Sequence, residues 1–292
     1  MSRRDAALRA AFAAALEVPV ATLELRPLSG GCINQAARCE VAGTSWFVKW
    51  NDRPLPGQFA AEAAGLAALA DVQEALRIPR VLASSDEPGA AFLILEHLEP
   101  GSRGAGFDEA LGRGLAALHR ASAEAFGFAC DGYCGATPQP NGWLPRWTDF
   151  YRERRLAHQL ALARAAGFPA DAFRAGQALL ERLPEWLDDE EPPALIHGDL
   201  WSGNLYVGAG GQPALIDPAA YYGHREAELG MMSLFGGFSQ RVFAAYAEAY
   251  PLRDGWRERL GLYELYHVLN HFNLFGGSYG GQAARLIQRY RV

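Results

Sequence analysis

One break in texture constrains what this chain can fold into more than any other feature. Ahead of Glu99-Pro100-Gly101 the sequence consists of short apolar runs punctuated by glycine and polar turns; beyond it, long helical periods dominate. The Pro-Gly step, followed by the glycine-rich residues 102–106, marks a boundary. With 292 residues, half of them hydrophobic, the chain exceeds the usual size of one compact core. Two lobes are therefore expected, an α+β fold with residues 1–98 forming a sheet-rich lobe and 99–292 a helical one.

In the first lobe Leu8, Phe12 and Leu16 recur every fourth residue, so residues 5–17 should form a packing helix that Pro19 ends. Residues 23–28, 35–41 and 46–50 then read as strands of an antiparallel meander. The turn Leu28-Ser29-Gly30-Gly31-Cys32-Ile33-Asn34 joins the first two. Adjacent glycines let backbone amides approach a phosphate, although most such pairs are ordinary turns. Lys49 follows, either an edge-strand charge reaching solvent or a phosphate-binding cation aimed inward. Glu62, the only acid in the helix expected over residues 59–70, either orients that lysine or favours the helix start. Residues 78–82 and 90–95 are two further strands, the second apolar enough to be buried on both faces.

In the second lobe Leu111, Leu115 and Leu118 make a stripe ending at His119, and helices are expected near residues 147–166, 170–187, 239–249 and 255–272. Residues 127–145 form a connection long enough to suggest a functional role. Tyr263, Tyr266, Phe272 and Phe275 fall at helical spacing and read as core.

The formal net charge of −6 argues against nucleic acid or an anionic membrane as the main partner. No apolar run is long enough to span a bilayer and no cleavage signature follows Met1, so a cytoplasmic protein is expected. Cys32, Cys39, Cys130 and Cys134 are too few for a disulfide scaffold and lack the spacing of a zinc site, so reduced thiols are expected.

The chemistry concentrates in Leu195 to Asn204 and in Leu215-Ile216-Asp217-Pro218. Between His197 and Asn204 the spacing is H-x-D-L-x-x-x-N, and Asp217 follows thirteen residues later, the order of a kinase catalytic loop and metal-binding aspartate. A carboxylate such as Asp199 can take the proton of an attacking hydroxyl. The Asn204 amide and Asp217 carboxylate offer hard oxygen ligands to Mg²⁺. Glycine turn, lysine, acid, base and metal ligands thus occur in one order.

Gly30-Gly31-Cys32-Ile33-Asn34, His197 to Asn204, Asp217-Pro218-Ala219, Tyr221 to Glu226, Leu234 to Phe238 and Leu269 to Gly276 together resemble the fructosamine/ketosamine kinases, within the protein-kinase-like and aminoglycoside-phosphotransferase-like superfamily. The resemblance covers nearly the whole chain. It implies a bilobal protein-kinase-like fold and ATP-dependent phosphorylation of the C3 hydroxyl of a ketosamine, free or on a protein lysine, a step that leads to deglycation. It also implies roles. Gly30, Gly31, Cys32 and Asn34 would line the phosphate turn, Lys49 would hold the nucleotide phosphates with Glu62 orienting it, and Glu96, His97 and Leu98 would form the hinge facing adenine. Asp199 would be the base, and Asn204 and Asp217 the Mg²⁺ ligands. Trp201, Tyr222, His224 and Glu226 would meet the substrate, and His197 would brace the loop.

In one place the chain departs from the family pattern. Glu228-Leu229-Gly230-Met231 stands where relatives carry an aspartate followed by Leu-Ala-Met, and the longer acid would anchor the catalytic loop less tightly. Cys32 in the phosphate turn is either a small buried hydrophobe or a redox-sensitive thiol, which leaves a monomer or a redox-dependent dimer. Another small-molecule kinase, or a nucleotide-binding regulator without catalysis, are the competing functions; a regulator has no need of Lys49, Asp199, Asn204 and Asp217 together.

Overall fold

The computed structural model describes residues 2–28, 34–71 and 75–290. Gly30, Gly31 and Cys32 lie outside the described residues. Helix α1 (Arg3–Leu16) opens the fold, its first turn closed by the Ser2 hydroxyl, which accepts from the Asp5 amide at 3.1 Å. Glu17, with φ of 54°, turns the chain out of the helix before Pro19 is reached.

Five strands follow, β1 (Arg26–Leu28), β2 (Gln35–Val41), β3 (Thr44–Trp50), β4 (Val81–Glu87) and β5 (Ala90–Glu96), with α2 (Gln58–Ala70) between β3 and β4. All pairs are antiparallel, in the order β1-β2-β3-β5-β4. Interior strand β5 is covered on both faces, which explains its unbroken apolar run. Phe92 and Ile94 pack with Leu8 and Phe12 of α1, while Ala91, Leu93 and Leu95 pack with Phe59, Leu66 and Leu69 of α2.

Two strands differ from their expected bounds. Residues 23–25 precede β1 unpaired, and the strand expected over 78–82 starts at Val81 and continues through Ser84, Ser85 and Asp86. β4 is an edge strand, so polar residues are tolerated there, and Asp86 has a task. Its carboxylate accepts from the Phe59 and Ala60 amides, each at 2.9 Å, capping α2, whose own N-cap Gly57 has no side chain to offer.

The helical lobe contains α3 (Phe107–Leu118), the hairpin β6 (Gly132–Cys134) and β7 (Thr137–Gln139), and α4 (Trp147–Phe150), which continues through a wide π turn (Tyr151–Ala157) into α5 (His158–Ala165). Next come α6 (Ala170–Arg182), β8 (Ala194–Ile196), β9 (Leu205–Val207), β10 (Pro213–Leu215), β11 (Tyr221–Gly223), α7 (Arg225–Leu234), α8 (Gln240–Ala249), α9 (Trp256–Phe275) and α10 (Tyr279–Arg289). The short strands pair as β9 with β10 and β8 with β11, so β8 delivers His197 and β10 delivers Asp217 to one place.

Residues 127–145 are fastened from the π turn. Buried Arg155 donates to the Pro140 carbonyl at 2.6 Å and to Asn141 Oδ1 at 2.7 Å, with its guanidinium 3.9 Å from the Tyr221 ring centre. Helix α7 is not among the expected helices; Arg225 through Met232 are all buried, acids included. As expected, Tyr263 and Tyr266 are core; Phe275 is 61% exposed. Among the described residues, no helix is long and apolar enough to cross a membrane.

Candidate active site

The loop between β8 and β9 is shaped by close approaches. Gly198 has φ of 81°, and a Cβ there would lie 2.2 Å from the Ala219 carbonyl oxygen, so only glycine fits. Fully buried His197 braces the loop as expected. The Asp199 amide donates to its Nδ1 at 3.3 Å, which leaves the proton on Nε2, 2.9 Å from the Ile216 carbonyl. Burial lowers its pKa, although the Glu228 charge opposes this, so the ring is neutral at physiological pH.

Glu228, fully buried on α7, takes both loop amides, His197 N–H at one carboxylate oxygen and Gly198 N–H at the other, the latter at 3.1 Å. The longer acid therefore spans to the loop with both oxygens engaged. Burial alone would raise its pKa, but His119, His197 and the loop amide outweigh that and hold the carboxylate below its ordinary range.

These supports present Asp199 to a cavity of about 910 Å³, which is also lined by Lys49, Glu62, Trp201, Asn204 and Asp217. Lys49 settles its own alternatives: it points inward, its Nζ 2.8 Å from Glu62 Oε1 and 2.9 Å from Asp217 Oδ1. Burial favours the neutral amine, but the two carboxylates overcome it and raise the pKa, so Lys49 is charged. Gly65 of α2 lies against Pro218 and Ala220, seating the helix that carries Glu62 beside Asp217. Asp217 adopts φ of 54°, a costly conformation for a non-glycine residue, at the point where its carboxylate meets Lys49.

Asn204 Nδ2 donates to the Asp199 carbonyl at 2.9 Å, so the acceptor oxygen of the amide is what it can offer a cation. That oxygen and the half-exposed Asp217 carboxylate form a hard, anionic donor set suited to Mg²⁺. Asp199 itself is pushed up to about 8, by burial first and then by the Glu228 and Asp217 charges.

Glu96, His97 and Leu98 line the cavity together with apolar Phe47, Leu95 and Ile216. Glu96 turns its carboxylate to Arg77, and the Tyr206 hydroxyl donates to the Leu98 carbonyl at 3.2 Å. Leu28 and Asn34, which flank the glycine turn, also reach the cavity. Trp201 is 43% exposed, its ring folded onto Gly203, where a Cβ would lie 2.2 Å from the indole.

Three expected substrate residues are not brought to the cavity. Tyr222 packs between Phe128 and Trp143, with ring centres 6.5 and 6.0 Å away. His224 is buried as the N-cap of α7, accepting from the Glu226 amide at 3.2 Å. Glu226 is fully buried and binds Arg259 at 2.6 and 2.8 Å. Their work is to fix α7, and through it Glu228. Sequence reasoning missed Gln139, Asn141, Tyr133 and Tyr206 on the cavity wall; the first three sit in the long connection of residues 127–145, which was the available signal.

An ammonium clamped between two carboxylates at the edge of an apolar cleft suits nucleotide phosphates, and the half-buried Asp199 carboxylate lining the same cavity suits an attacking hydroxyl. Fold and site define a kinase of protein-kinase-like architecture. The fructosamine kinase family model matches residues 5–291, and the chain belongs to that family. It is 44% identical to the probable ketoamine kinase of Synechocystis sp. over 276 residues, which cover 93% of this chain and 91% of that protein. It is 41% identical to the chloroplastic protein-ribulosamine 3-kinase of Oryza sativa subsp. japonica, over 90% of this chain and 77% of that protein. A crystal structure of a candidate fructosamine-3-kinase from Thermobifida fusca superposes with a TM-score of 0.86 at 36% identity, covering 97% of this chain and 98% of the other.

Proposed function

We propose that the protein is a ketosamine 3-kinase that transfers the terminal phosphoryl group of ATP to the C3 hydroxyl of a fructosamine or ribulosamine. The observation that carries the reading is the bridge of Lys49 to Glu62 and Asp217 in the same cavity that Asp199 lines. Lys49 holds the nucleotide phosphates and Glu62 keeps it pointing inward. Asn204 and Asp217 hold Mg²⁺, which when bound neutralises phosphate charge. Asp199 accepts the proton of the sugar hydroxyl and orients its oxygen for in-line attack. Adenine lies between the apolar walls at Phe47, Leu95 and Ile216, against the hinge at Glu96, His97 and Leu98.

Trp201 stands at the open mouth of the cleft, a flat wall for the sugar or the amine that carries it. Its exposure supports acceptance of ketosamines on protein lysines as well as free ones, the reading under which the enzyme serves deglycation and repair. Mg-ATP offered with a panel of free and protein-bound ribulosamines and fructosamines, followed as ADP formation with the phosphorylated carbon located by NMR, tests this. Turnover on aminoglycosides or amino alcohols in place of every ketosamine would overturn it. Replacing Trp201 by alanine should raise KM for the ketosamine about tenfold, the loss of roughly 1.4 kcal/mol of ring contact, with KM for ATP changed less than about twofold. Steady-state kinetics in both substrates checks this, and a parallel rise of both constants would remove Trp201 from the sugar site.

A further inference from the structure

Beneath Asp199 the structure gathers residues that phosphoryl transfer does not use. Cys134, at the end of β6, and His267, on α9, are both buried, and their ligand atoms and that of Asp199 all lie within 4.8 Å of one another. We infer that Cys134, His267 and Asp199 form a second cation site, separate from Asn204 and Asp217, which takes a thiophilic divalent ion such as Zn²⁺ and switches the kinase off.

The geometry is close to what zinc requires. Tetrahedral bonds of about 2.0–2.3 Å place ligand atoms about 3.3–3.8 Å apart, so no pair in the cluster need close by more than about 1.5 Å. Its supports are already in place. Asn270 Nδ2 donates to both the Cys134 carbonyl and its sulfur, at 3.2 and 3.3 Å, which fixes the sulfur. Burial and then the Asp199 charge hold Cys134 as a thiol, so the ion must displace its proton. The His267 ring has Nδ1 buried with no hydrogen-bond partner among the described residues, an arrangement that proteins rarely leave unused. Burial keeps that imidazole neutral, the form that ligates.

Charge and ligand softness decide which ion binds where. Arg155 places a positive charge near Cys134 and His267, while Asp199, with Glu228 and Asp217 close to it, supplies the opposing negative field. A thiolate and an imidazole select Zn²⁺ over Mg²⁺, whereas the oxygen pair Asn204 and Asp217 does the reverse. On binding, the Cys134 thiol proton leaves to solvent and a sulfur–metal bond forms, with no change of oxidation state. Asp199 lines the cleft, so the fourth position of the ion opens toward it and can hold a water. An ion there occupies the carboxylate that must accept the substrate proton.

Co²⁺ reports such a site without turnover, so this test stands whatever the ketosamine. Titrating the whole protein with Co²⁺ should give a thiolate-to-cobalt charge-transfer band saturating at one equivalent. Cys134→Ser should remove the band, and His267→Gln, which keeps the sulfur, should weaken Co²⁺ binding at least tenfold. In turnover at saturating Mg-ATP, Zn²⁺ should inhibit the parent protein, a chelator should restore it, and the half-inhibiting concentration should rise at least tenfold in either variant. Absence of the band from the parent protein, its survival in Cys134→Ser, or inhibition relieved in proportion to added Mg²⁺ would each overturn the assignment. Either variant suffices if the other does not fold.

Discussion

Replacing Asp199 by alanine is expected to lower kcat about a thousandfold while Mg-ATP affinity changes less than about twofold, the range that one positioned proton acceptor supplies. Lys49 keeps Glu62 and Asp217 as partners without it, and Asn204 still donates to the residue-199 carbonyl, so the nucleotide side of the cleft is preserved. Rapid-quench turnover with a ribulosamine, paired with calorimetric titration of nucleotide, separates the two quantities. Retained turnover would remove Asp199 from the role of base. Burial first, then the Glu228 and Asp217 charges, push this carboxyl up to about 8, and the base works only when ionised. Accordingly kcat/KM should rise with pH through about 8, while kcat should turn over at lower pH, because Mg²⁺ bound at Asp217 cancels one of the charges that raised it. Stability runs the other way. The folded protein keeps this proton between about pH 4 and 8 and the unfolded chain does not, so folding weakens as pH rises across that window. Asp199→Asn should lose that slope and be the more stable form above pH 8, which thermal unfolding in a pH series measures.

The parts of the site readable in the sequence were those whose members lie close along the chain. His197, Asp199 and Asn204 share one loop, and their spacing reflects the hydrogen bonds they make there. Lys49 was ambiguous because the residue that decides its direction, Asp217, is 168 positions away and comes into view only when α2 rests on Pro218 and Ala220. β5 announced its place by being apolar on both faces. Helix α7 is concealed by the opposite circumstance: Glu226 and Glu228 point inward to Arg259 and to the loop amides, so a buried helix has the composition of an exposed one. The same concealment makes Tyr222, His224 and Glu226 look like substrate contacts, since a polar block beside a catalytic motif carries no mark of the face it presents. Gln139 and Asn141 belong to no motif; only the length of their connection hinted at a wall of the cleft.

Glu228 is where α7 meets the catalytic loop, and its removal should be the costliest change outside the cleft. Glu228→Ala strips the acceptors from two buried amides, His197 and Gly198 N–H, each worth roughly 1–3 kcal/mol when left unpaired. For a chain of this size that lowers the melting temperature by on the order of 10 °C. Activity should fall further than stability alone explains. Gly198 is held against Ala219 by its left-handed backbone, and once the carboxylate is gone the loop can relax from that contact, carrying Asp199 away from the phosphate end of the cleft. A shift of about 1 Å at a reacting group costs on the order of a hundredfold in rate, so kcat at a temperature where the variant is fully folded should drop by about that factor. Glu228→Asp separates reach from charge. If the length of the acid matters here because α7 sits one methylene too far from the loop for an aspartate, this variant should lose at least one of the two bonds and fall between the parent and Glu228→Ala in both melting temperature and kcat. Parent-like values for Glu228→Asp would show that α7 can approach the loop, and that the longer side chain is not what holds Asp199 in place.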